Sequence, residues 1–364
     1  MSLDYETLRL LWWALLVLGM IGFALAEGLL VGVTLLLKLS AKTDTDRQTV
    51  LNGITPAAMG LQAWLIAITA LLFAAWPIVY TVAFSSFQAV LILMLVAWLG
   101  RLPGLYFRNA SENADWRQNW DKALSYGGLL IAALLGIICG NLLKGVPFHL
   151  DSDMRIFFLG DFWGLLNPFA LLLAAVSVTL FALYGAAFLQ LKNSGDIYIA
   201  SRSLMFKAGL AFLVLFALAG LWVTRLEGYH ITSEFFPNGD ANPLNKFVKR
   251  NDGLWLDNYE HQPSLWVIPA LVFISAGVSL YLTKLHRSYF AFLATSITVV
   301  FSVLTVAISM FPFLLPSNRS LNSSLTIWDA SASFNSLTML LWPVIIALPL
   351  LAVLSRWSFW IERK

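Results

Sequence analysis

Residues 10–37 read LLWWALLVLGMIGFALAEGLLVGVTLLL, an apolar run that carries one carboxylate, Glu27. A helix needs about 20 residues to cross roughly 30 Å of hydrocarbon, so this run is long enough to span a bilayer. An ionisable group placed there is costly, and by default it faces protein, water or a proton path. Ahead of the run, MSLDYETLR holds two acids and one base and shows no small-residue cleavage site. It therefore does not read as a signal peptide, and the run is expected to stay in the mature chain.

The composition agrees with a chain built for lipid. Of 364 residues, 59% are hydrophobic and 12% charged, with mean hydropathy +0.77, values that a water-exposed surface does not tolerate. The expected class is all-α and polytopic, with membrane lipids as partners and no nucleic acid. The net charge of +3 says little about partners, because in such a chain the position of the charges matters more than their sum. Cys139 stands alone, which excludes an intrachain disulfide and a cysteine metal cluster.

Apolar stretches of crossing length recur nine times, near 10–37, 57–75, 79–100, 124–143, 162–190, 204–224, 264–283, 289–311 and 335–355. Pro77 divides the second from the third, since it lacks an N–H and disfavours a helix continuing into it. Nine spans put the termini on opposite sides. With the N-terminus outside, fifteen of the 23 Lys and Arg residues fall on the inner side. Basic residues concentrate on cytoplasmic loops, so the N-terminus is expected to be periplasmic and the C-terminus cytoplasmic. Arg101 and Arg108 read as inner-face anchors of that topology, and Trp12 and Trp13 as outer aromatic-belt residues.

Two outer loops, about 225–263 and 312–334, are too long for simple turns and are expected to pack on the bundle or on a partner. Nothing suggests a separate soluble domain, so residues 1–364 read as a single integral membrane domain. Asp161, in LGDFWGLL, reads as the N-cap of the fifth span, and Asp329, in TIWDAS, as a capping or surface acid. Gly28 and Gly32 form a small-xxx-small pair suited to close helix packing.

No catalytic residue emerges. The sequence has no GxxxxGK[ST] phosphate loop, no HExxH and no GxSxG in a strand-to-helix setting. A membrane electron carrier places histidines inside its spans to ligate haem. Here His149, His230, His261 and His286 all fall in expected loops, so no haem and no metal is assigned to this chain. Met20, Met59, Met94, Met205, Met310 and Met339 lie among apolar neighbours and read as core filler.

Several collinear segments resemble subunit II of the cytochrome bd quinol oxidases. They include DYETLRLLWW at 4–13, LFAAWPIVY at 72–80, AFSSF at 83–87, GNLLKGVPF at 140–148 and LLNPF at 165–169. ALAGLWV, NPLNK, LWVIPAL, MFPFLLPS and SLTIWDASAS continue the series to residue 333. The resemblance implies a nine-helix fold of two four-helix bundles plus one extra helix. It also implies a heterodimer in the bacterial inner membrane. There a subunit I would hold haem b and haem d, oxidise quinol and reduce oxygen to water. Subunit II would carry no haem, stabilise the complex, and line a proton route from the cytoplasm. A bound ubiquinone or menaquinone and a small single-span accessory subunit are further family features.

Departures from the family pattern are informative. Typical members read DGFDxGxG where this chain has Glu27-Gly28-Leu29-Leu30-Val31-Gly32, so the second carboxylate is Leu30. The family's PHWDGNQVW corresponds to residues 56–64, which lose the histidine, a tryptophan, the aspartate (now Met59) and an asparagine. Gln62 and Trp64 are kept, and they stand as quinone or helix-interface candidates. In RPxGFDYR the acid becomes Tyr106. Proton transfer needs titratable groups or ordered water within hydrogen-bond reach, so the usual route is expected to be altered or lost. Glu27 remains as the proton-transfer candidate, with a hydrogen-bonded structural acid as its alternative. A rival class is a transporter or channel-like protein that uses Glu27 for an ion or substrate.

Overall fold

The computed structural model describes residues 4–361 apart from Phe235; the side chains of residues 56, 57, 59, 61 and 356–361 lie outside the described part. The first half of the chain forms α1 (Tyr5–Ser40), α2 (Asp44–Asn52), α3 (Thr55–Ala75), α4 (Pro77–Ser86), α5 (Gln88–Phe107) and α6 (Ala114–Lys144). After the hairpin β1 (Phe148–Leu150) and β2 (Ile156–Phe158) come α7 (Phe162–Leu165), α8 (Pro168–Lys192) and α9 (Gly195–Val223). A second hairpin, β3 (Glu227–Ile231) with β4 (Val248–Asp252), leads to α10 (Asp257–His261), α11 (Val267–Lys284) and α12 (Ser288–Met310). A third, β5 (Phe313–Leu315) with β6 (Leu325–Thr326), leads to α13 (Phe334–Ile361).

Eight helices among the described residues are long and apolar enough to cross a membrane by length and composition. The expected second crossing is α3, whose described apolar stretch, Gln62–Ala75, is shorter than the others. The expected third crossing, 79–100, is not one helix. The chain breaks at Phe87 (φ −99°, ψ 15°), and the crossing helix begins at Gln88 and runs on to Phe107. The break falls at Ser85-Ser86-Phe87-Gln88, a short polar interruption of the apolar run. Pro77, by contrast, opens α4 where the sequence places the boundary.

The helices group about α1, which packs against α3, α6, α8, α12 and α13, while α8 packs on α9 and α11 on α12. The crossing of α1 and α8 is close because both faces lack side chains. A Cβ on Gly32 would lie 2.1 Å from the carbonyl oxygen of Phe181, and one on Gly185 2.2 Å from the carbonyl carbon of Gly32. That is the small-residue packing expected of the GLLVG pair.

Caps set several helix starts. Thr43 and Asp46 form a capping box on α2, and Asn113 accepts from the N–H of Asp115 at 2.8 Å at the start of α6. Asp161 caps the four-residue α7, accepting from Gly164 N at 3.0 Å; the fifth long helix, α8, is capped by Asn167 through Ala170 N at 3.1 Å. The intervening Pro168 opens α8, so the cap expected of Asp161 passes to Asn167.

The three hairpins gather at one end of the bundle. Val146 bridges to Ser317, Val248 N donates to Asn322 Oδ1 at 3.0 Å, and Trp255 Nε1 donates to the Leu143 carbonyl at 2.8 Å. The two long loops are therefore folded and joined to each other and to α6. Trp12 is enclosed at this end, with Nε1 donating to the Leu337 carbonyl at 3.1 Å, and Trp13 packs edge-on to Phe311 at 5.1 Å. Trp12 is thus a helix-packing residue. Its indole N–H needed a partner, and α13 supplies it.

Candidate functional site

Glu27 is 1% exposed, and its environment is built by one face of α5. Trp98 and Arg101 lie three residues apart there, a spacing that puts both side chains on the same side of a helix. Trp98 Nε1 donates to Glu27 Oε1 at 2.8 Å, and Arg101 Nη2 donates to the same oxygen at 2.5 Å. Arg101 is itself 0% exposed. The carboxylate in the apolar run therefore has a cationic partner, and the charge of the pair cancels inside the bundle. Arg101 Nε and Nη1 have no hydrogen-bond partner among the described residues.

Arg108, the residue that follows the last turn of α5, is also buried. Its Nε and Nη2 grip Asp121 of α6 at 2.7 and 3.2 Å in a two-pronged contact. Nη2 also reaches Asp44, and Nη1 donates to Gln48 Oε1 at 2.8 Å, so α2 is docked onto the α5–α6 corner. Arg47 adds a contact to Asp121 at 3.2 Å, and Arg117 one to Asp44 at 2.9 Å. Burial alone would raise the pKa of Asp44; hydrogen bonds from Arg117 and Arg108 outweigh it and hold that carboxyl below its usual value. Arg101 and Arg108 were expected at the inner face as topology anchors. Both are buried in ion pairs, Arg101 with Glu27 of α1 and Arg108 with Asp121 of α6 and Asp44 of α2.

The other sequence candidates do not converge on Glu27. Leu30 is buried in the apolar core, Tyr106 is 46% exposed, and the Met59 side chain lies outside the described residues. Trp64 clasps α3 to α1 and α13. Its ring occupies the space a Cβ on Gly22 would need, and its Nε1 donates to Ser355 Oγ at 3.0 Å. Gln62 Nε2 is buried and has no partner among the described residues. His149 and His230 lie on the hairpins, His261 ends α10, and His286 follows α11. None of the four lies within a long apolar helix, so this donor set does not fit a haem held between the helices.

At the hairpin end lie two further buried cations, Arg9 and Lys246, which no sequence motif singles out. Arg9 stacks over the Tyr5 ring at 3.5 Å, donates to Ser331 Oγ at 2.8 Å and to the Gly239 carbonyl at 3.0 Å, and also reaches the Pro237 carbonyl. Lys246 Nζ meets Asp329 Oδ2 at 2.9 Å, and Asp329 also accepts from Thr326 Oγ1 at 2.6 Å. Burial raises the pKa of Asp329 and lowers that of Lys246, each opposed by the partner's charge.

The model of the cytochrome bd terminal oxidase subunit II family matches residues 8–362. The chain belongs to this family. It is 38% identical over 359 residues to the cytochrome bd-I ubiquinol oxidase subunit 2 of Escherichia coli, covering 98% of this chain and 95% of that one. A probable cytochrome oxidase subunit 2 of Haemophilus influenzae is 36% identical over 357 residues, covering 98% and 94%. Among solved structures, a chain of the bd oxidase from Geobacillus thermodenitrificans superposes with TM-score 0.72 at 17% identity, covering 98% of this chain and all of that one. The fold is that of a bd oxidase chain, and the transporter alternative finds no counterpart among these relatives.

Proposed function

We propose that this chain is the haem-free subunit II of a cytochrome bd-type terminal oxidase in a bacterial inner membrane. A haem-bearing subunit I would oxidise quinol and reduce oxygen to water, with this chain as its non-catalytic partner. The match to the family across nearly the whole chain carries this reading. The position of the histidines supports the division of labour: haem b and haem d belong to the partner, since no histidine of this chain sits among its crossing helices. Residues 1–364 act as one integral membrane domain, with the hairpin end periplasmic and the α2 end cytoplasmic, as the charge bias favours. A small single-span accessory subunit completes the complex.

Glu27 is read here as a fixed counter-ion. Both of its donors hold the same oxygen, Oε1, and arginine does not release its proton in proteins, so Arg101 serves as a charge partner and not as a proton relay. With Leu30 and Tyr106 in place of the family's other acids, the usual subunit II proton route is closed, and subunit I supplies the path. A ubiquinone or menaquinone in the family's structural site would find Trp64 already engaged by Ser355, leaving Gln62 Nε2 as its donor.

Purification of the chain with its native partners, followed by a reduced-minus-oxidised visible spectrum, tests the central reading. Haem b and haem d bands from a copurified larger subunit are expected. A pigment-free, monomeric preparation, or a haem bound to this chain alone, would overturn it.

A further inference from the structure

In the first half of the chain, Arg47, Arg101, Arg108 and Arg117 each have a carboxylate partner near the α2 end of the bundle. The bases that the second half brings to its own inner helix ends do not. Residues 190–207 and 281–290 hold the inner ends of α8, α9, α11 and α12. They carry five Lys and Arg residues, Lys192, Arg202, Lys207, Lys284 and Arg287, against one acid, Asp196. Among the described residues none of the five is in an ion pair.

Two of these cations meet at the seam of α9 and α11. Tyr198, Arg202 and Phe206 recur every four residues on α9 and so share one side of it. All three meet the end of α11. Tyr198 Oη is hydrogen-bonded to His286 Nδ1 at 2.9 Å, and Arg202 Nε and Nη2 donate to the carbonyls of Thr283 and Lys284 at 3.2 and 3.3 Å. Those are carbonyls that the last turn of a helix leaves unmet. Lys284 Nζ lies 5.9 Å from the centre of the Phe206 ring, which puts the ammonium about one helical turn, roughly 6 Å, along the seam from Arg202. Neither Arg202 Nη1 nor Lys284 Nζ has a hydrogen-bond acceptor among the described residues, and Lys284 is exposed.

The surface below the seam decides the class of ligand. Deeper along the same two helices, exposed side chains are aliphatic: Leu210, Val214 and Leu221 on α9, Ile274 and Val278 on α11. A free anion would satisfy the cations and leave that surface bare, whereas a phospholipid covers both, with its phosphate on the bases and its acyl chains along the aliphatic faces. Two cations without a counter-charge favour a headgroup of net negative charge over one whose own amine they repel. Basic pockets between helices on the cytoplasmic side of a membrane take anionic headgroups in this way. We propose that Arg202 and Lys284, at the inner end of the α9–α11 seam, bind one anionic glycerophospholipid of the phosphatidylglycerol kind. The site rests on the membrane reading of the chain and not on where the haems lie.

Cryo-electron microscopy maps of the full complex test the site. The wild type and Lys284→Glu are imaged in nanodiscs of phosphatidylethanolamine with phosphatidylglycerol, and the wild type also in phosphatidylcholine alone. A two-tailed density with its head against Arg202 and Lys284 is expected in the wild type with phosphatidylglycerol, and its loss in the other two maps. The Lys284 side chain is exposed and holds no hydrogen bond, so Lys284→Glu should fold, which an unchanged melting temperature checks. A lipid equally clear in phosphatidylcholine or in Lys284→Glu is indifferent to headgroup and overturns the proposal. So does a tail-less peak, which reports a free anion, a partner polypeptide lying on the seam, or a bare seam. The density is read on this chain whatever the haem spectrum shows, so the lipid site and the oxidase reading fail separately.

Discussion

Glu27 and Arg101 stand 74 positions apart in the chain and share one hydrogen bond in the bundle. Glu27 was legible in the sequence because an ionisable group inside an apolar run is costly and has to meet protein, water or a proton path. Arg101 was not, since a base at the end of an apolar run has the same appearance as a cytoplasmic flank, and hydropathy carries no information on pairing. Removing one member of a buried pair leaves the other charge uncompensated and costs about 3–5 kcal/mol. Glu27→Gln and Arg101→Gln are each expected to destabilise the complex by about that amount, and the double variant by less than the sum of the two. Thermal unfolding of the four proteins provides the cycle, and strictly additive losses would show that the pair is not coupled. Turnover per retained haem should stay near the wild-type value in Glu27→Gln; a selective loss of turnover in a stable complex would assign Glu27 to proton transfer instead.

At the level of the helices, the crossing of α1 over α8 depends on two missing side chains. Gly32→Ala puts a methyl 2.1 Å from a backbone carbonyl that cannot rotate away, whereas a Cβ on Gly100 of α5 meets nothing within 4 Å. Gly32→Ala is expected to lower the yield of folded protein severely, with Gly100→Ala close to wild type, as read by detergent-extracted complex and its melting temperature. The docking of α2 makes a different prediction. Asp44 has its folded-state pKa depressed below 3.8, so its contribution is present at pH above that value and is lost as pH falls through the lower one. In Asp44→Asn the melting temperature should fall less steeply on acidification than in the wild type; parallel acid profiles would exclude the contribution. The GLLVG spacing and Pro77 announced their elements in the sequence. The break at Phe87 was marked only by the short polar patch of Ser85, Ser86 and Gln88, which a hydropathy window of crossing length averages away.

For the molecule as a whole, the sequence made the membrane class and the family plain through composition and collinear segments. It left hidden how the hairpin end is knit together, because those contacts join residues hundreds of positions apart. Orientation can be checked directly: a green fluorescent protein fused after Lys364 should fluoresce and alkaline phosphatase fused there should stay inactive, with the reverse pattern inverting the topology. The hairpin end also constrains how the protein can be made. Arg9 and Trp12 leave the ribosome first, yet their partners at Gly239, Ser331 and Leu337 are 230 to 325 residues behind them. Until residue 237 is made, the leading helix has neither the carbonyl acceptors of Arg9 nor the acceptor of the Trp12 indole. A chain cut short before residue 237 lacks every one of these distant partners, and one cut between 239 and 331 still lacks Ser331 and Leu337, so the leading helix is completed only when the last helix has been made.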